Sequence, residues 1–198
     1  MTLPAYDKSK RKKSFETLPK DCYVVKIMNA KETANKNNTG SHIAIAFDIA
    51  EGEYKNFYMQ QYEANTSEDK KWPNDAIYRL TVPMDGSQQF VIDNWNTFFA
   101  DLEDSNNGYV FSGDPSKLKN KLIGGKFHIE QTEYNGKIYD HTRLRWTCVA
   151  DDVRSGKAAK NMPKDKLLSA AAARPGSVPA TDFINIPEGT QEEEIPFD

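Results

Sequence analysis

Two runs in which apolar and polar residues alternate, 126–134 and 137–149, are separated by only Asn135 and Gly136. Asn-Gly accepts positive φ at both positions, and the resulting twist matches that of the strands it joins, so the pattern predicts a type I′ hairpin. A two-residue turn also sets register. With Tyr134 opposite Lys137, Phe127 falls opposite Leu144, Ile129 opposite Thr142 and His128 opposite Arg143. A side-chain period of two then places Phe127, Ile129, Leu144, Trp146 and Cys148 on one face, the core side. The other face carries His128, Tyr134, Lys137, Tyr139, His141, Arg143 and Arg145.

The rest of the chain reads around this hairpin. Residues 23–28 alternate as a first strand, with Lys26 among its outward positions. Residues 31–41 have loop composition. Residues 42–49 alternate, with Ile43, Ile45, Phe47 and Ile49 on one face and His42, Ala44, Ala46 and Asp48 on the other. Residues 57–62 read as a third strand that places Tyr58 and Tyr62 on one face, and residues 77–82 add a short strand. Between 88 and 102 the period changes: Val91, Trp95, Phe98, Phe99 and Leu102 recur at three- and four-residue steps, which predicts an amphipathic helix. Three strands, a helix and a hairpin make the order of an OB-fold, a mainly β five-stranded Greek-key barrel with one helix, whose face and loops bind oligonucleotides.

Charge divides the chain unevenly. The first 20 residues carry +4, mostly in Lys8-Ser9-Lys10-Arg11-Lys12-Lys13, whereas residues 161–198 carry −4 and residues from 175 onward hold six acids and no base. The expected organisation is a flexible basic arm (1–17), an OB-fold domain (18–155) and a disordered linker with an acidic tail (156–198). A basic arm and an acidic tail on a near-neutral body suggest nucleic-acid contact. No apolar stretch approaches a membrane span. Cys22 and Cys148 are too few for a disulfide framework, so a soluble, cytoplasmic protein is expected.

Single-stranded nucleic acid needs aromatic rings for its bases and cations for its phosphates. The outer hairpin face offers both in Tyr134, Lys137, Tyr139, His141, Arg143 and Arg145. Lys26, Tyr58, Tyr62, the loop residue Trp72 between Lys71 and Pro73, and the arm residues Lys12 and Lys13 complete the expected DNA-binding set. Trp95 and Trp146 fall on core faces. The chain lacks a phosphate-binding glycine loop, a His/Cys metal cluster and a nucleophile elbow. Gly124-Gly125 precedes a strand and reads as a bend. The expectation is a binding protein with no cofactor and no metal, and not an enzyme. The acidic pairs Asp151-Asp152 and Asp101/Asp104 leave a magnesium-dependent nuclease as one alternative.

The chain ends Glu192-Glu193-Glu194-Ile195-Pro196-Phe197-Asp198. This resembles the acidic tip of bacterial and phage single-stranded-DNA-binding proteins, in which acids precede Ile/Leu-Pro-Phe. In that family the Phe enters an apolar pocket of a partner while the acids meet basic residues. Here Asp198 follows Phe197, so the terminal carboxylate lies one residue further out. The stretches 18–27, 47–55, 122–126 and 134–137 also resemble, loosely, a phage family of OB-fold single-stranded-DNA-binding proteins. The resemblance implies non-sequence-specific protection of single-stranded DNA in phage replication and recombination, in a bacterial cytoplasm. It also implies that Glu192, Glu193, Glu194, Ile195, Pro196 and Phe197 recruit replication and recombination proteins, and a homo-oligomer is compatible with it. An OB-fold adapter that binds protein, with weak DNA affinity, is the other alternative.

Overall fold

The computed structural model describes residues 17–35 and 40–168. Lys12, Lys13 and the acidic end at 192–198 lie outside them. Five strands form one antiparallel sheet: β1 (Cys22–Ala34), β2 (Ser41–Ile49), β3 (Ile77–Thr81), β4 (Leu122–Tyr134) and β5 (Lys137–Cys148). Their order is β3-β2-β1-β4-β5. A helix, α2 (Gln89–Ser105), stands between β3 and β4 in sequence. This is the arrangement of an OB-fold, left open between its end strands β3 and β5.

The curvature comes from β1. Its first half pairs with β4, Cys22 opposite Lys126 and Lys26 opposite Leu122, while Val25 onward pairs with β2 as far as Ala34 opposite Ser41. The β2 register slips between Ile27 and Asn29, leaving Met28 as a bulge. A bulge bends and twists its strand, which lets one strand serve two neighbours. The β1–β2 hairpin is therefore longer than composition suggests, because Lys31–Ala34, read as loop, continues the ladder.

Residues 57–62 are not a strand. They lie in α1 (Phe57–Ala64), and the third strand is the short β3. The reason is a tertiary cap. Asp48 on β2 accepts the backbone N–H groups of Tyr58 at 2.9 Å and Met59 at 3.2 Å, and that of its own neighbour Ile49 at 2.8 Å. A helix start whose first-turn donors are satisfied from ten residues upstream carries no local capping signal. Burial pushes the Asp48 carboxyl above its ordinary value, against the pull of those three donors and of Lys26.

The core fills the space between sheet and helices. Phe47 meets Tyr58 and Phe127 edge-on, at centroid distances of 5.8 Å each. Phe98 of α2 stacks on Tyr78 of β3 at 6.0 Å, and Phe99 stacks on Phe111 at 3.9 Å. Trp95 packs partly buried against this cluster, in line with its expected face. Ala44 and Ala46, expected to leave an open face on β2, are buried. The segment carrying Trp72 closes on β2, its indole N–H donating to the Phe47 carbonyl at 3.2 Å. Glycine is required at 124 by packing: a Cβ there would lie 2.8 Å from the Cys148 carbonyl oxygen and 2.9 Å from that of Val149, both backbone atoms.

The ordered body also runs past residue 155. After α3 (Ala150–Arg154), residues 162–168 pack along β4 where β1 has left it. Lys166 N–H donates to the Ile129 carbonyl at 2.8 Å, and Gln131 N–H to the Lys166 carbonyl at 2.9 Å. The boundary expected at 155 thus moves outward to Leu168 at least.

Asp48→Ala strands two helix-start donors in a buried place, each costing about 1–3 kcal/mol. It is expected to destabilise the domain by about 3 kcal/mol in urea unfolding, and Asp48→Asn by less. An unchanged midpoint for Asp48→Ala would remove the cap from this account.

Candidate nucleic-acid interface

The β4–β5 turn is the one expected. Asn135 has φ 52° and Gly136 φ 72°, and the ladder pairs Tyr134 with Lys137, Ile129 with Thr142, His128 with Arg143 and Phe127 with Leu144. Tyr134 and Tyr139 consequently share a face near the tip, diagonal to one another, with Lys137 between them. They are 68% and 45% exposed. Lys137 is exposed as well and makes no ion pair with a described residue.

Further down the hairpin the expected cations are engaged. Asp75, in the one-turn 3-10 segment Asn74–Ala76 ahead of β3, accepts from His141 Nδ1 at 3.0 Å and Arg143 Nε at 3.1 Å. Arg143 Nη1 also donates to Glu130 at 2.9 Å, and Lys166 Nζ reaches the other Glu130 oxygen at 2.6 Å. His141 and Arg143 therefore hold the hairpin against the start of β3 and are not free for phosphates. His128, expected on the solvent face, is buried, its Nδ1 lying 3.1 Å from the Lys164 carbonyl.

Beyond Phe127 the ladder slips by one residue. Lys126 pairs with Trp146 while Phe127 pairs with Leu144, so Arg145 is the extra residue of a bulge. Counting by twos through the bulge assigns Trp146 to the core. In the structure it is 46% exposed, because the extra residue reverses the alternation. Arg145 is exposed. A cleft of about 210 Å³ lies here, between Tyr78 of β3, Asn94 and Thr97 of α2, Lys126 of β4 and Arg145, Trp146 and Thr147 of β5.

Four expected residues stand elsewhere. Tyr58 is 2% exposed, a core ring between Phe47 and Phe57. Trp72, expected in an exposed loop, is 5% exposed. Tyr62 packs partly buried against Trp72 at 5.6 Å, with Lys70 Nζ 5.9 Å from its ring centre. Lys26 is half-buried opposite Asp48 and lends its charge to that carboxylate. The structure thus brings together Tyr134, Lys137 and Tyr139 at the tip, and Arg145 with the unexpected Trp146 and Lys126 at the bulge. No local signal marks a bulge of this kind, and an exposed Trp146 follows only from the pairing itself.

The acidic pairs are spoken for in part. Asp151 pairs with Arg154 at 2.6 Å, Asp152 with Lys157 at 3.1 Å, and Asp101 accepts from Thr147 Oγ1 at 2.7 Å. Among the described residues no group of three or more His, Cys, Asp or Glu side chains is placed to hold a metal ion. No helix among them is long and apolar enough to cross a membrane.

The clasp around Glu130 gives a pH signature. Burial alone would raise its carboxyl, but Lys166 and Arg143 outweigh burial and hold it below the ordinary 4.5. A carboxyl lowered in the folded state adds stability that is present at neutral pH and lost as pH falls through the folded value. Glu130→Gln is therefore expected to lower the melting temperature at pH 7, with the difference from the parent shrinking as pH falls below the ordinary carboxylate range. A difference that stays constant over that range would show that Glu130 acts there by packing, not by charge.

A search of curated proteins finds no match. Residues 5–92 match a family described as a protein of unknown function, DUF669. That match takes in β1, β2, α1 and β3 and ends within the first turn of α2. It covers less than half of the chain and leaves out the whole β4–β5 hairpin, taking in only Asp75 and Tyr78 from the seam beside it.

Proposed function

We propose that this protein binds single-stranded nucleic acid, single-stranded DNA above all, without sequence preference, through the outer face of the β4–β5 hairpin. The observation that carries the reading is the hairpin tip: two exposed tyrosines on one face with a free lysine between them, projecting from a sheet of OB-fold order. Stacking on tyrosine is indifferent to sequence because every base offers a π-face, and lysine neutralises the phosphate beside it. The basic cluster with Lys12 and Lys13 supplies further charge from the N-terminal side. In this reading the protein protects single strands during replication and recombination, the processes the acidic end also suggests, and does no chemistry on them.

Affinity for an oligothymidine is expected to exceed that for duplex of equal length, and to fall with salt at a log–log slope of about 0.7 per phosphate neutralised. Tyr134→Ala and Tyr139→Ala each remove about 1–3 kcal/mol of binding while sparing the melting temperature. Phe127→Ala does the reverse, since Phe127 is wholly buried. A fluorescence titration with single-stranded, duplex and RNA oligonucleotides reads all of this. Equal affinity for duplex and single strand would reject the reading, no affinity for any would favour a protein-binding adapter, and loss of labelled strand with Mg²⁺ would favour a nuclease.

The acidic end acts on the same surface. Leu168, the last described residue, sits against Gln131 of β4, its N–H 3.2 Å from the side-chain oxygen. Gln131 pairs with Asp140 in the tip half of the hairpin, so the six acids beyond residue 174 are tethered to that half, at high effective concentration near its cations. Removing residues 175–198 is expected to raise affinity for single strands, most at low ionic strength, and to abolish capture of replication proteins. Phe197→Ala alone removes most of that capture and leaves DNA affinity nearly unchanged. A truncated protein that retains every partner in a pull-down would make the acidic end a solubilising one.

A further inference from the structure

The seam between β3 and β5 holds a second feature suited to the same kind of ligand. The bulge at Arg145 turns Trp146 outward beside its cross-strand neighbour Lys126. The indole is half-exposed, as Tyr139 is nearer the tip of the same strand. The cleft next to it opens between the edges of β3 and β5 over α2, and its lining holds two cations and no acid. Asp101, the carboxylate closest by hydrogen bonding, is engaged by Thr147. Arg145 makes no ion pair or hydrogen bond with a described residue, and Lys126 Nζ has only the Asn161 carbonyl at 3.3 Å.

We propose that this cleft is a nucleotide subsite in which one base of a bound single strand stacks on Trp146 while Arg145 and Lys126 take the adjoining phosphates. Three features of the cleft fit a nucleotide better than an apolar or cationic ligand. A flat π-surface is open to solvent on one side, which suits a planar base. Neither cation makes an ion pair with a described residue; Arg145 precedes the indole on β5 and Lys126 is its cross-strand neighbour on β4. Asn94 and Thr97 add side-chain donors and acceptors on the α2 side of the cleft. Arginine also stacks on aromatic planes, so Arg145 can contribute to holding the base as well as the phosphate.

The inference rests on the single-strand-binding reading and extends it. Trp146 stands seven residues beyond Tyr139 on β5, about 23 Å at ~3.3 Å per residue. One strand laid along the hairpin would thus meet the tyrosines first and the tryptophan last. A ligand long enough to span both should depend on Trp146, and a short one should not.

The test is a titration of the full chain with oligothymidines of about 16 and about 4 nucleotides, the range of site sizes known for single OB-folds, with oligouridine as a second arm to tell RNA from DNA. The longer oligonucleotide is expected to quench a component of tryptophan fluorescence that is missing in Trp146→Phe. Trp146→Ala should weaken the longer ligand about tenfold, Trp146→Phe should restore most of that, and Arg145→Ala should reduce the salt slope by about 0.7. Should Trp146→Ala fail to fold, Trp146→Phe quenching and the Arg145→Ala slope carry the test alone. If both oligonucleotides bind and Tyr134→Ala weakens them, yet the Trp146 and Arg145 variants match the parent, the subsite is wrong and single-strand binding stands. If no oligonucleotide binds the parent protein, the underlying reading fails and takes the subsite with it.

Discussion

The left-handed pair Asn135-Gly136 is the constraint on which the rest of this structure depends. Both residues at positive φ hold the two strands at one register, and that register decides which side chains are buried. Phe127 and Leu144 turn inward to meet the β1 and β2 aromatics, while Tyr134, Lys137 and Tyr139 turn outward. A slip of one residue would exchange the two sets. The candidate surface and the core are therefore two sides of one geometric decision, made by two turn residues outside the core.

The sheet does not close by hydrogen bonds, and what spans the opening shapes the candidate site. Asp75 draws His141 and Arg143 toward the start of β3. These groups are about one-third exposed, a setting in which ion pairs contribute little to stability. Their role is orientation: they fix the hairpin stem while its tip stays free. Lower in the same seam, no such clasp is found among the described residues, and there the cleft beside Trp146 opens. A barrel sealed by a continuous ladder would have no room for it.

The parts of the fold legible in the sequence were those governed by local rules. The hairpin, its turn type and its register followed from Asn-Gly and a period of two, and α2 followed from the spacing of its apolar residues. Residues 57–62 carry no local sign of their helix because its cap, Asp48, lies on another element. The outward turn of Trp146 is equally invisible locally, because a bulge breaks the alternation without changing composition. Tyr58 and Trp72 looked available because aromatic residues beside polar ones resemble a binding face, whereas α1 and the segment after it fold over β2 and bury both rings. His141 and Arg143 could be placed on the correct strand, but their partner Asp75 lies more than sixty residues away.

The central claim is that single strands run along the outer face of the β4–β5 hairpin. Amide chemical-shift mapping of the isotope-labelled protein during addition of an oligothymidine tests it most directly. The account predicts that the largest shifts fall on 132–139 and on the bulge at 145–147, with the Trp146 indole N–H moving and that of buried Trp72 still. Shifts concentrated on β1 or on α1, with the hairpin unmoved, would contradict it.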